Sequence, residues 1–464
     1  MATGASIAAQ LLQIFVMGRL LDTEDFGLMG MVLTVVALGF ALGDAGISNA
    51  IIHSQNATKR ELSSLYWLNV FAGVGVVGIV WLTIPLVVEL YGEPRLTSLI
   101  RMASVVFVIT PMTQQFQVMH EKELLFRRLS IIEMTSSLTG LTVCVTCGLN
   151  GLGVRSLIFG LISNAIMRAL LLFAASWKRW RPALAFHWSE CRRFFRFGVF
   201  QMGDRFLNQL GSQVDRIILG AMLGAGPLGF YYVAHNLSLK PFLIINPIVT
   251  RVGFPVFSRV QGRNDQLRSG FLQILELISA VLIPIYTVLI VLAGPALHVA
   301  MGPQWGPSAP LLQILGFVGI VLGLGNPMGS LFLAKGRPDI SLILNVIRII
   351  LDVAAITIAF RYGVLGIAIA VLIVRAGVMF PIGFILRWKL VGMKPQEYLG
   401  TIAPFMVAAA ITGASMYFAR HNITWPSQLV ELLICSSGGM VLYFGMLLIW
   451  QRNRMERIWM AVRA

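Results

Sequence analysis

The residues able to do chemistry in this 464-residue chain are a handful of charges set in long apolar runs. Asp204, Asn208, Gly211 and Asp215 recur at i, i+4, i+7 and i+11, so they share one face of a helix. Arg205, Gln209, Ser212 and Arg216 form a second stripe about 100° around the same helix, while Phe206, Leu210, Val214 and Ile217 lie elsewhere. Further on, Tyr232, His235, Asn236 and Lys240 share a face, Asn345, Arg348 and Asp352 share another, and Arg375 adds a cation. A charge at the bilayer centre costs about 2.5–3.5 kcal/mol, so such residues face protein or water. Four charges at two depths of the 204–216 helix would cost on the order of 10 kcal/mol against lipid. Its polar stripes therefore predict a border with an aqueous cavity.

The cations Arg205, Arg216, Lys240, Arg348 and Arg375 make that cavity suited to an anion, because guanidinium matches phosphate bidentately. Two roles are open to Asp204, Asp215 and Asp352: holding the arginines in place, or binding a driving H⁺ or Na⁺. Asp44, Glu133 and Glu276 are further ion-coupling candidates, with capping or loop pairing as the alternative. Arg348 and Asp352, at i and i+4, are equally well read as a structural ion pair. Arg168 is expected to snorkel from the end of its span. Pro111, Pro284, Pro327 and Pro381 remove helical hydrogen bonds and are hinge candidates. Pro111 leads into Thr113, Gln114, Gln115 and Gln117, a polar run expected to line the cavity.

Other patterns are decoys. Gly73-Val-Gly-Val-Val-Gly78 fits a nucleotide-binding spacing, but no strand precedes it, and close helix packing is the expected role. Cys144 and Cys147 stand in an apolar stretch where packing outweighs metal or redox chemistry, so no metal site is expected. No Walker A sequence occurs, so ATP hydrolysis by the chain itself is not expected, and the reading is not an enzyme.

The elements that must position these residues follow from composition. The chain is 57% hydrophobic and 12% charged, with mean hydropathy +0.80, and its apolar blocks are long enough for membrane spans. Backbone in hydrocarbon must satisfy its own hydrogen bonds, and blocks of 18–27 residues favour helices over barrel strands. The blocks run 4–21, 28–48, 64–90, 98–119, 130–149, 152–175, 197–222, 228–250, 269–293, 308–334, 339–360, 364–386, 399–418 and 429–450. With residue 1 inside, the inside connections hold twenty-four Lys and Arg against four outside, so fourteen helices with both ends cytoplasmic are predicted. That distribution makes the net charge of +16 topological rather than a sign of nucleic-acid binding. Leu21–Leu28 is echoed by Leu223–Phe230 and 121–133 by 334–345, as expected of transporter lobes. The predicted fold is all-α, with two six-helix lobes about a pseudo-twofold along the membrane normal. The N-lobe is 1–175, a linker 176–197, the C-lobe 198–386, two added helices 387–450 and a basic tail 451–464. The linker, rich in Trp, Phe, Lys and Arg, is expected to lie on the cytoplasmic leaflet.

Over essentially its whole length the chain resembles the polysaccharide-transport branch of the multidrug/oligosaccharidyl-lipid/polysaccharide exporter superfamily, most of all Wzx-type flippases of the colanic acid kind. The resemblance is carried by Tyr66-Trp-Leu-Asn69, Gln114-Gln-Phe116, Leu223-Gly-Ala-Gly226 through Asn236, Asn246-Pro-Ile-Val-Thr-Arg251, Phe254-Pro-Val-Phe257, Gly325-Asn-Pro-Met-Gly-Ser330 and Ala334-Lys-Gly-Arg-Pro-Asp-Ile340. The family usually has a basic stretch before a full first helix, whereas this sequence opens partway into that helix. The resemblance implies a flippase that moves an undecaprenyl-diphosphate-linked oligosaccharide to the periplasmic leaflet of the bacterial inner membrane by ion-coupled alternating access. Its implied partners are that lipid-linked oligosaccharide, membrane lipids, a polysaccharide polymerase and glycosyltransferases. A multidrug or cation antiporter of the same superfamily and a non-transporting envelope-assembly subunit are the competing readings. The cation excess argues against the first, and the short outer loops argue against a polymerase.

Overall fold

The structure, a computed structural model, describes residues 2–43, 59–177, 180–183, 188–259 and 262–451. Asp44, the basic tail from residue 452 and parts of the linker lie outside the described residues, as does the side chain of Asp204. The helices are α1 (Ala2–Leu20), α2 (Thr23–Gly43), α3 (Lys59–Tyr91), α4 (Leu96–Ala103), α5 (Val106–Lys122), α6 (Phe126–Leu149), α7 (Val154–Ser176), α8 (Trp188–Leu223) and α9 (Ala225–Arg259). They continue with α10 (Asn264–Val291), α11 (Ala293–Met301), α12 (Ser308–Gly325), α13 (Pro327–Ala334), α14 (Pro338–Ala359) and α15 (Gly363–Leu372). A π-helical segment (Ile373–Met379) leads into α16 (Phe380–Val391), then α17 (Pro395–Asn422) and α18 (Gln428–Trp450).

The protein is thus an all-helical, multi-pass membrane protein, with no strand among the described residues. Ten helical stretches are long and apolar enough to cross a bilayer, and one of them, Asp339–Val391, spans 53 residues and turns at Phe360–Tyr362, which makes two passes. Adding the short apolar α1 and the charge-bearing α8 and α9 accounts for all fourteen expected passes. Hydroxyls within spans are satisfied locally. Ser130, Ser136, Thr139, Thr142 and Thr146 of α6 each donate to the carbonyl four residues earlier, at 2.6–2.9 Å.

Packing divides the chain into Met1–Tyr232 and Val233–Ala464. The first unit therefore includes α8, which packs on α2 and α3, although the sequence repeat assigns that helix to the second lobe. The repeat itself is visible where α2 and α9 begin. A Cβ at Gly27 would overlap the Ala225 carbonyl, and one at Gly229 would overlap the Thr23 carbonyl. Residues 23 and 27 correspond to 225 and 229 at the repeat offset, so the two contacts are reciprocal. Glycine is required at both because backbone meets backbone. Gly73 follows the same logic against Phe107 and Pro111 of α5, so the nucleotide-like spacing is a packing motif. Cys144 likewise packs on Gly160 and accepts a 3.5 Å bond from Gln13.

The linker departs from expectation. Trp180 is buried against Tyr66 and Phe116, with ring centroids at 6.0 and 5.5 Å, rather than lying on lipid. The Ala183 amide donates to Ser63 Oγ at 3.1 Å, and the Trp67 indole donates to the Ala183 carbonyl at 2.8 Å. Burial of a full indole outweighs interfacial adsorption here. The motifs Tyr66–Asn69 and Gln114–Phe116 build this seat.

Candidate functional site

In the first unit, α5 places Thr110, Thr113, Gln114, Gln117 and Glu121 on one face, at the i, i+3, i+4, i+7 and i+11 positions of a helix. They line a cavity of about 520 Å³ together with Phe40 of α2, and Asn164 and Arg168 of α7. Arg168 Nη2 donates to Gln117 Oε1 at 2.7 Å, and Gln117 Nε2 donates to Glu121 Oε1 at 2.8 Å. A cation is thereby joined to a carboxylate through an amide. Arg168, expected to snorkel, instead turns into the cavity because Gln117 offers it a partner. Gln115, expected to line the same space, is buried about 100° around the helix and donates to the Leu62 carbonyl at 2.8 Å.

On α8, Arg205, Asn208 and Gln209 are half-buried and Ser212 is exposed. Gln213, between the stripes, is buried and accepts from Thr34 Oγ1 at 3.5 Å, which pins α8 to α2. Asp215 accepts a 2.7 Å bond from the Tyr231 hydroxyl and 2.9 Å from the Arg216 amide, and lies 4.0 Å from Arg216 Nε. Arg216 also donates to the Ser212 carbonyl at 3.2 Å. This pair is compensated in place. Tyr232 packs on Gly30 and faces Phe26 at 6.5 Å, closing the α2–α9 crossing.

The second unit holds a cluster in which two arginines meet one carboxylate. Asp352 of α14 is 3% exposed, and Arg375 Nη1 donates to both its oxygens at 2.9 and 3.0 Å. Arg348 Nη1 reaches the same carboxylate at 3.5 Å, so two guanidiniums share one acid. Arg375 sits in the π-helical segment, just before Pro381, whose missing N–H leaves the Gly377 carbonyl without its i+4 donor. Widened turns of this kind recur at functional sites because they re-aim a side chain. Lys240 of α9 is buried at 9% exposure, and His235 and Asn236 are half-buried beside it. Tyr286 fixes that stretch of α9 by donating to the Ser238 carbonyl at 2.8 Å.

Among the other candidates, Glu133 is exposed on α6 and Glu276 half-buried on α10. Pro111 and Pro284 lie inside continuous helices, whereas Pro327 and Pro381 open new segments at breaks, after Asn326 and after the π turn. Arg387 follows span twelve in the sequence. It is 2% exposed within α16, its guanidinium 4.1 Å from the Tyr398 ring and 4.8 Å from that of Phe384, and Nε and Nη2 have no hydrogen-bond partner among the described residues. Phe384 is one helical turn away, but Tyr398 and Phe271 come from other helices, which no local spacing reveals.

The chain is a multi-pass helical membrane protein with cationic and amide side chains buried along its spans. The chain belongs to the polysaccharide biosynthesis protein family, whose model matches residues 16–310. It is 33% identical to the lipopolysaccharide biosynthesis protein WzxC of Escherichia coli K12, over 86% of this chain and 81% of that one. It is 32% identical to the teichuronic acid biosynthesis protein TuaB of Bacillus subtilis 168, over 87% of this chain and 83% of the relative. Its fold is that of the lipid II flippase MurJ in an inward closed conformation, with TM-score 0.78, 16% identity and 98% of both chains covered. A multidrug resistance MATE family transporter of the MOP superfamily, inward-facing, matches at TM-score 0.60 and 16% identity, over 83% of this chain and 95% of the other.

Proposed function

We propose that the protein flips a lipid-diphosphate-linked oligosaccharide repeat unit across the bacterial inner membrane, from the cytoplasmic to the periplasmic leaflet, for surface or secreted polysaccharide. The observation that carries this reading is the Arg348–Asp352–Arg375 cluster. It sets two largely buried guanidiniums on one carboxylate, and guanidinium is the donor that matches phosphate oxygens bidentately. Buried Lys240 adds a second cation from α9. The family's role in polysaccharide biosynthesis supplies the head group, and WzxC and TuaB are named for lipopolysaccharide and teichuronic acid biosynthesis.

In the proposed cycle the cation cluster takes the diphosphate and the isoprenoid stays in lipid. Asp352 holds arginines. Asp215, set among the Tyr231 hydroxyl, the Arg216 amide and the Arg216 guanidinium, is the carboxylate proposed to exchange a driving H⁺ or Na⁺. The loop charges support both termini in the cytoplasm. Arg348→Gln and Arg375→Gln are tested in a flippase-null strain, with membrane insertion checked by immunoblot. Inserted variants that make no surface polysaccharide are expected, whereas full complementation by both removes the cluster from the mechanism.

A further inference from the structure

A second cavity, of about 420 Å³, lies in the second unit between α14 and α16 and belongs to no part of the proposed transport path. Ile340, Ile343 and Leu344 form one wall, and Ile382, Leu386 and Leu390 form the other, all six aliphatic. The eight helical steps from residue 382 to 390 make that wall about 12 Å long, at 1.5 Å rise per residue. Its mouth carries Arg337, Asp339 and Lys389. Arg337 Nε and Nη2 clasp Asp339 at 3.0 and 2.9 Å, and Lys389 makes no ion pair among the described residues. The mouth therefore bears one uncompensated positive charge above a purely apolar slot. Trp388, beside it, is 59% exposed, as suits a residue at the membrane–water boundary.

We infer that this groove binds one anionic phospholipid, its headgroup phosphate on Lys389 and Arg337 and an acyl chain between α14 and α16. The charge argues for a monoanionic headgroup: a single net positive charge matches one phosphodiester, and falls short of a diphosphate. Aliphatic walls with no polar group argue for a chain rather than a soluble anion. The location gives the site a consequence. Leu344 is one helical turn from Arg348, and α16 continues directly from the π segment that bears Arg375. A chain wedged between these helices sets their separation, and with it the grip of Asp352 on the two arginines. Bound phospholipid is thus a regulator of the cationic cluster. This second statement rests on the proposed function, while the binding site does not.

The test uses the full chain in neutral detergent, titrated with phosphatidylglycerol, phosphatidylethanolamine, undecaprenyl phosphate or inorganic phosphate while thermal denaturation is followed. Phosphatidylglycerol is expected to raise the midpoint saturably, phosphatidylethanolamine weakly, and inorganic phosphate not at all. Lys389→Gln should weaken the apparent affinity about fivefold, the factor that corresponds to ~1 kcal/mol per basic residue at a lipid surface. Ile343→Trp, which fills the slot, should abolish the response while keeping the protein folded, and Arg127→Gln, an exposed arginine elsewhere, should leave it intact. The site is overturned if Lys389→Gln and Ile343→Trp both respond like wild type. It is equally overturned if phosphatidylethanolamine matches phosphatidylglycerol, or if undecaprenyl phosphate outcompetes it in a Lys389-dependent way. A sound lipid site with normal polysaccharide export in Ile343→Trp would refute the regulatory link alone.

Discussion

Asp352→Asn isolates the electrostatics of the cationic cluster. At an effective dielectric of about 20, an ion pair at 3 Å has a gross attraction of about 5 kcal/mol, partly offset by desolvation. The side chain of Asp352 is 4% exposed and those of Arg375 and Arg348 are 14% and 18% exposed, so solvent screens the pair little. Removing the carboxylate takes away the acceptor that both guanidiniums share, and breaking a buried pair this way costs about 3–5 kcal/mol. For a packing unit of this size, each kcal/mol corresponds to about 2–4 °C, so the thermal midpoint should fall by roughly 10 °C. Arg375→Gln in the same chain removes one of the two guanidiniums, and the double variant should recover at least half of that loss. The measurement is thermal denaturation of the detergent-solubilised protein followed by size-exclusion chromatography. Strictly additive losses, or a single variant as stable as wild type, would refute the shared-carboxylate reading.

The other structural claims have their own readouts. Gly229→Ala sets a methyl into the Thr23 carbonyl, so it should sharply reduce monodisperse protein; Gly226→Ala, whose Cβ meets nothing within 4 Å, should not. Trp180→Ala should speed proteolysis of the linker at least tenfold, consistent with the ~3–5 kcal/mol typical of a buried large aromatic, while Trp177→Ala, half exposed, should change it little. Arg387→Met should be neutral or stabilising, because the guanidinium Nε and Nη2 lack partners and the aromatic contacts contribute only about 1–2 kcal/mol. A fall of more than 10 °C in its midpoint would contradict that.

Much of this architecture is legible in one sequence because the bilayer is a demanding solvent. It forces every span to be a helix and sorts loop cations to one side, which is why fourteen passes emerge from apolar blocks and loop charge together. Helical spacing likewise places Gln114 with Thr113 and Gln117, and Asp352 one turn from Arg348. What spacing cannot supply is the partner across the bundle. Whether Arg168 would snorkel or turn inward depended on Gln117 of another helix, and the fate of Arg387 depended on Tyr398 and Phe271. Gln115 was miscast because a polar run was read as one surface, although adjacent helical residues point about 100° apart. The linker misled for a related reason: its Trp and basic residues suit an interface, but an aromatic seat built by Tyr66 and Phe116 competes for Trp180.

The most direct test of the central claim is where the lipid-linked repeat unit resides. In a strain that lacks its own flippase and expresses this protein, the repeat unit should become accessible to a membrane-impermeant, sugar-modifying enzyme added outside the inner membrane. Arg348→Gln/Arg375→Gln should leave it accumulated and protected. Accessibility that is the same with wild type, the double variant and empty vector would contradict the flippase assignment.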